Sequence, residues 1–360
     1  MKCRKALPLL LLALLLCAAA LGEGTALDLT DGSRTSLQAI EEAMAEAGAV
    51  TEVDLRGAEL SYETRKALVT GHPDVHFRWV MTALGVQVTS EDTDLTITEK
   101  RPKKLDSLYQ VLDCMPRLKN VYMWNTALDR ETRDKLFYGY PDVFFGWRIK
   151  MNESHTIRTD ATAFSTLGKR PALYLYHTHN FAYCRNLKAL DVGHNNLKTL
   201  SFLEECPKLK IFIGADCNLT DISPIACQTD LEYLELFLNK QLTDISALAN
   251  LTNLIDVNLA FCDVRDLSPL YDLPHLERVW LMLNRHLTQA DFDALREHQP
   301  NCEIVTRSWG ATGNVMRKDN SLIPGTSWRD HPRYETIYYI FNHGQYIGWD
   351  DEIPIRRKGH

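Results

Sequence analysis

The feature that most constrains this chain is a repeat of fixed period. Leu187, Leu209, Leu231, Leu254 and Leu276 open five successive segments spaced 22 or 23 residues apart. Each reads approximately L-x-x-L-x-L-x-x-N/C-x-L. In the fourth, Leu254, Val257, Leu259, Cys262 and Val264 fill the slots; in the first, Leu187, Leu190, Val192, Asn195 and Leu197 do. The second weakens one slot to Gly214, and the third inserts one residue before Leu242. A unit this short buries about six apolar side chains. That is too few to offset the entropy of ordering its own backbone. Units stacked on one shared core can fold where a single one cannot.

The pattern is the signature of leucine-rich repeats. It predicts an α/β fold class: a solenoid with a curved parallel sheet on one side and short helices or 3-10 turns on the convex side. The Asn or Cys slot is expected to turn the chain out of each strand and to satisfy buried backbone groups of the next coil.

A longer duplication, at an offset of 68 residues, occupies the N-terminal half. Val53 matches Val121, Glu63-Thr64-Arg65 matches Glu131-Thr132-Arg133, and Leu68 matches Leu136. Pro73-Asp74-Val75 matches Pro141-Asp142-Val143, and Phe77 and Trp79 match Phe145 and Trp147. Asp92 pairs with Asp160 and Thr98 with Thr166. Segments 36–47 and 104–114 carry helical apolar spacing. Ser61 and Asp129 are placed to cap two further short helices, which Pro73 and Pro141 stop. These copies read as atypical, enlarged repeats that continue the solenoid. Residues 158–168 read as a connector, and 172–176 as another strand.

The first residues have the form of an export signal. Lys2, Arg4 and Lys5 precede an apolar run from Ala6 to Leu16, followed by small residues around Ala18-Ala19-Ala20. The run is too short to span a bilayer. Cys17 offers a lipidation site and hence a possible membrane tether, although Leu16 stands where a small residue is expected. The chain is therefore expected to be secreted or held at the cell surface. Forty basic against 47 acidic residues give a net charge of −7, which argues against nucleic acid as a partner. The cysteines at 114–302 lack CxxC spacing and mostly occupy repeat core positions, so they read as small buried hydrophobes. Cys184 and Cys206 sit at equivalent places in adjacent coils, where a bridge is conceivable.

Beyond Val305 the composition changes. Residues 309–327 are rich in Gly, Asn and Ser and read as a linker. A helix is expected over 331–343, with Pro332 in its first turn and Gly344 at its end. It places Tyr334, Ile337, Tyr338 and Phe341 on one face. Its expected role is a C-terminal helical cap for the solenoid. The organisation read from all this is 1–22 signal peptide, 23–168 two duplicated units, 169–305 leucine-rich repeats, and 306–360 linker and capping helix.

Leu242-Thr-Asp-Ile-Ser-Ala-Leu-Ala-Asn-Leu-Thr-Asn-Leu254 and Leu267-Ser-Pro-Leu-Tyr-Asp-Leu273 resemble the repeats of internalin-type proteins. The paired Pro-Asp-Val units and the segment 328–341 resemble those of secreted or surface leucine-rich repeat proteins of anaerobic bacteria. The resemblance implies partner binding through the concave face and no assigned catalytic activity. It transfers no contact residue, because those positions vary with the partner. It also implies that the sequons at Asn152, Asn218 and Asn250 go unused.

Alternation along each strand gives the candidate surface. Ala189, Ile211, Tyr233, Asp256 and Arg278 form one outward row. Asp191, Ile213, Glu235, Asn258 and Trp280 form the next, and Gly193, Ala215, Phe237, Ala260 and Met282 a third. His194, Asp216, Leu238, Phe261 and Leu283 edge the loops. Tyr233, Glu235, Phe237, Asp256, Phe261, Arg278, Trp280 and Met282 are the binding residues expected from these rows, as an aromatic patch rimmed by charge. The alternative is that the C-terminal segment folds back over them.

Catalytic motifs are lacking: there is no G-x-S-x-G, H-E-x-x-H or P-loop. His177, His179 and His194 are a weak metal candidate, and surface or turn histidines are the plainer reading. The chain thus reads as a non-enzymatic binding protein for a protein or peptide, with no cofactor. A hydrolase acting on extracellular polymers and a surface spacer are the alternatives.

Overall fold

The computed structural model describes residues 25–168, 172–306 and 332–354. The expected signal peptide, Cys17 and the expected 309–327 linker lie outside them. The chain divides into two compact units, Met1–Trp147 and Arg148–His360.

The first unit builds one motif twice. β1 (Thr25–Asp28), β2 (Val50–Asp54) and β3 (His76–Arg78) form a parallel sheet, connected through α1 (Leu37–Ala47) and α2 (Tyr62–Gly71). A hairpin follows, β4 (Val80–Ala83) and β5 (Val86–Thr89). Its two-residue turn holds Leu84 and Gly85 at φ 49° and 82°, the positive values that match strand twist. The second copy is β6 (Asp94–Thr96), β7 (Asn120–Tyr122) and β8 (Phe144–Gly146), with α3 (Asp106–Cys114) and α4 (Arg130–Gly139).

Duplicated residues make duplicated bonds. The Thr64 amide donates to Ser61 Oγ at 3.1 Å and the Thr132 amide to Asp129 Oδ1 at 2.8 Å, so both expected caps form. Arg65 and Arg133 each donate to a backbone carbonyl five residues earlier, Leu60 and Leu128, at 2.6 Å. Phe77 stacks on Trp79 at 5.5 Å, and Phe145 on Trp147 at 5.3 Å. The helices cohere around Asp113, whose carboxylate accepts from Tyr62 at 2.6 Å, Lys66 at 2.8 Å and Tyr140 at 2.8 Å.

The second unit opens with the antiparallel pair β9 (Arg148–Lys150) and β10 (Thr156–Arg158). A seven-stranded parallel sheet then runs in chain order: β11 (Ala163–Ser165), β12 (Ala189–Asp191), β13 (Ile211–Ile213), β14 (Tyr233–Glu235), β15 (Asp256–Asn258), β16 (Arg278–Trp280) and β17 (Glu303–Val305). Short 3-10 turns, such as Ser223–Cys227 and Ser268–Leu270, lie between strands, and α6 (Gln289–His298) precedes the last one. Residues 158–168 are therefore not a connector. Ala163–Ser165 pairs with β12, because Phe164 belongs in the core and is buried. Residues 172–176 are not a strand either. The short helix α5 (Leu175–Thr178) begins there and passes into a 3-10 turn at His179–Tyr183.

The slot residues tie each coil to the preceding one, not to the next. Asn239 donates to Gly214 O at 3.0 Å and accepts from the amides of Cys217 and Leu219 at 3.1 and 2.9 Å. Asn284 does the same to Leu259 O and the Val264 amide, each at 2.9 Å. Cysteine in this slot offers a weaker donor: Cys217 reaches Val192 O at 3.1 Å and Cys262 reaches Leu236 O at 3.2 Å. These contacts satisfy backbone groups that the chain reversal leaves unpaired. Cys114, Cys184, Cys206, Cys217, Cys227, Cys262 and Cys302 are all free, so Cys184 and Cys206 form no bridge.

Candidate functional site

The strand registers reproduce the expected rows. Ala189, Ile211, Tyr233, Asp256 and Arg278 are successive partners, as are Asp191, Ile213, Glu235, Asn258 and Trp280. The interior positions between them, Leu190, Phe212, Leu234, Val257 and Val279, are fully buried. The two rows therefore leave the sheet on the face opposite the coil interior.

That face is not an open wall. Tyr233, Glu235, Phe237, Asp256, Trp280 and Met282 are buried, and Phe261 and Arg278 are half-buried. The expectation that all eight present a free surface is corrected by helix α7 (Tyr334–His343) and the segment after it. Ile337 and Ile340 pack with Ala163, Ala189, Ile211, Ile213, Tyr233, Phe237 and Trp280 into one cluster. Phe341, Tyr346, Ile347 and Trp349 pack on its edge. The helix expected to cap the end of the coil thus lies across the sheet face. An amphipathic helix buries its stripe on the largest apolar surface within reach, and here that is the outward row.

Polar bonds pin the cover. Arg333 donates to Asp256 Oδ2 at 3.3 Å and also pairs with Glu277. Its guanidinium lies 5.4 Å from the Trp349 ring centre. The Trp349 indole donates to Glu232 Oε2 at 2.7 Å, and the Tyr346 amide to Thr162 Oγ1 at 2.9 Å. Arg278 is held by Glu303, with its guanidinium 5.6 Å from the Trp280 ring centre. Phe237 and Phe261 meet edge to face at 5.2 Å.

Beside the cover lies a cleft of about 540 Å³ between α7 and strands β11 to β14. Ser165, Asp191, His194, Glu235 and Asn342 supply polar groups. Ile213, Ala215 and Ile337 supply aliphatic wall, and Tyr334, Tyr338 and Phe341 supply rings. Glu235 is only 2% exposed. Its Oε2 accepts from the Tyr233 hydroxyl at 3.0 Å, and its carboxyl makes no other hydrogen bond among the described residues. Burial pushes its pKa up to about 8, with the charges of Asp191 and Asp256 adding to the rise. Asp191 accepts from the Ser165 hydroxyl at 2.7 Å and the Gly193 amide at 2.9 Å. Burial raises its pKa too, and those two bonds oppose the rise.

Of the expected residues, the cleft gathers Glu235 alone. Ser165, Asp191, Tyr334, Tyr338 and Phe341 were not among them. Asp191 shares the outward row of Glu235, and a second acid in that row is the signal that could have singled it out. The rings on α7 were visible as its apolar face, but their destination was not.

The rim is different. His194, Asp216, Leu238, Phe261 and Leu283 all adopt left-handed backbone, with φ of 60°, 51°, 66°, 59° and 55°. Each coil reverses there, which costs an L-residue on the order of 1 kcal/mol. Leu283 stays 56% exposed. The three histidines considered for metal are engaged separately. His177 Nδ1 accepts from the Tyr174 amide at 3.0 Å, His179 meets Tyr176 O, and His194 lies 3.2 Å from Asp216 Oδ2. No cluster of three metal-ligating side chains occurs among the described residues, and no described helix is long and apolar enough to cross a membrane.

No protein-family profile matches the chain, and no curated protein matches it. Among solved structures it is similar to an internalin, inlF, of Listeria monocytogenes. Identity there is 14% and the TM-score 0.35, over 75% of this chain and 71% of that one. Internalin C2 of the same species gives 18% and 0.33, over 67% and 91%. A leucine-rich repeat protein of Leptospira interrogans gives 12% and 0.28, over 73% and 74%.

Proposed function

We propose that the chain is an exported leucine-rich repeat protein that binds a protein or peptide partner on the concave side of its repeat sheet. Two duplicated units precede the repeats, and the C-terminal segment lines the binding face rather than closing the end of the coil. The partner enters the cleft that α7 leaves between itself and β11–β14. The observation that carries the reading is this cleft, in which a buried carboxyl with an unused oxygen faces aliphatic wall and aromatic rings. Burying a polar group without a full set of partners costs stability, and a ligand that completes the set recovers that cost. The exposed rim residues His194 and Leu283, both in left-handed backbone, extend the same surface.

Selection of random displayed peptides on the purified mature chain tests this. Enriched peptides should bind the wild type and lose binding to Ala215→Phe, which fills the cleft. Enriched peptides that bind Ala215→Phe equally well, or no enrichment at all, would overturn the reading.

A hydrolase acting on extracellular polymers is the second reading. The observation favouring it is that Asp191 and Glu235 line one cleft with raised pKa values, as acid–base catalysis requires. Its test is release of reducing ends or free amines from cell-wall polymers by the wild type but not by Glu235→Gln.

A further inference from the structure

We propose that the cleft between α7 and β11–β14 binds the ammonium group of a lysine side chain carried by a peptide partner, with Glu235 and Asp191 taking the charge. The inference rests on the peptide-binding reading above and names what that site selects. Three observations carry it. The lining carries two carboxyls, Asp191 and Glu235, and no lysine or arginine is among the described residues that line the cleft. Its imidazole, His194, is already beside Asp216. An anionic ligand therefore finds no counter-charge among the described lining residues, whereas a cationic one finds two carboxyls, of which Glu235 gives up its proton to meet it. Glu235 keeps one oxygen unused while almost wholly buried, so its hydrogen-bonding capacity is directed at something the cleft admits.

The remaining lining fits the rest of such a side chain. Ile213, Ala215 and Ile337 offer aliphatic contact for four methylenes, and a lysine stem buries its carbons while its head stays polar. The Tyr334 and Tyr338 ring centres lie 5.6 Å apart, and with Phe341 they line the cleft with aromatic rings, groups whose faces attract a cation. Tyr338 and Leu167 are exposed at the mouth, and the volume exceeds what one alkylammonium needs. Peptide backbone on either side of the lysine fits within it.

Protons follow from the same arrangement. The groups facing Glu235 are Tyr233 on its own strand, Asp191 on β12, Asp256 on β15 (paired with Arg333), Tyr334 and Tyr338 on α7, and His194 at the rim. With a carboxyl pKa near 8, Glu235 carries a proton at neutral pH. An ammonium favours the ionised form, so binding at pH 7 expels a proton, and affinity rises with pH up to about 8.

Titration calorimetry on the full mature chain tests the proposal with three probes: Ac-Ala-Ala-Lys-Ala-Ala-amide, the same peptide with norleucine for lysine, and n-butylamine. The lysine peptide should bind at least tenfold tighter than either of the others. At pH 7 its heat should vary with the ionisation enthalpy of the buffer, and at pH 9 it should not. Glu235→Gln, checked for unchanged thermal unfolding at pH 5, should lose at least tenfold and all the proton release. Asp191→Asn provides a second variant should Glu235→Gln fail to fold. Equal binding of the norleucine peptide, equal binding of butylamine, or an unaffected Glu235→Gln overturns the inference. Lysine-free peptides that bind wild type but not Ala215→Phe would sink the ammonium claim and leave the peptide-binding reading standing. No binding by any peptide sinks both.

Discussion

Replacing Ile337 and Ile340 together by alanine should release α7 from the sheet. Both side chains are fully buried in the apolar cluster on the outward face of the sheet. Each substitution removes three carbons, about 2.4 kcal/mol of transfer at ~0.8 kcal/mol per carbon, and the residual cavity adds to that. The two sit one turn apart and share partners, so their costs do not simply add. A combined loss of about 5 kcal/mol is the working figure, and it multiplies the undocked population by more than a thousandfold. Undocking should be local, because the strands keep their ladder and the coil interior keeps its leucines. Hydrogen exchange read by mass spectrometry should then show residues 334–354 losing protection, with β12–β15 amides protected as before. Trp349 emission should shift to the red as its indole leaves Glu232 and Tyr233. Unchanged exchange over 334–343 in the double variant would refute the claim that these two side chains hold the cover down.

Other outcomes follow from single groups. Glu235 keeps its proton to about pH 8 when folded but loses it near 4.5 when unfolded. Folding stability should therefore fall as pH rises through that window, and Glu235→Gln should abolish the fall; urea midpoints at pH 5 and pH 8.5 measure it. Burial raises the pKa of Asp113, but its bonds from Lys66, Tyr62 and Tyr140 lower it more, for a net lowering. Its contribution is present above the unfolded carboxylate pKa and fades as pH falls through the lower folded value. Asp113→Asn should cost about 2 kcal/mol at pH 7, seen as faster amide exchange in α2 and α3, and much less at pH 2.5. Leu283→Gly should raise stability by about 0.5–1 kcal/mol, because glycine accepts φ 55° without strain. Leu283→Ala should not, and equal thermal midpoints for the two variants would contradict the strain argument.

The period of the leucines determined a parallel strand every 22 or 23 residues and the register that aligns Tyr233 with Asp256 and Glu235 with Asn258. Those are local consequences, since a strand's alternation fixes which side chains leave the coil interior. The duplicated caps at Ser61 and Asp129, and the Asn slot as a buried backbone partner, were legible for the same reason: each bonds to backbone at a fixed sequence offset. What the outward side chains meet was not legible. Tyr233 and Trp280 read as a free surface because no pattern near them mentions Ile337, a residue far along the chain. The helix itself announced an apolar stripe but not the surface it would choose. Only the tertiary structure decided that, because burial is set by which distant apolar faces come together, and helical spacing records that a face needs cover without saying whose.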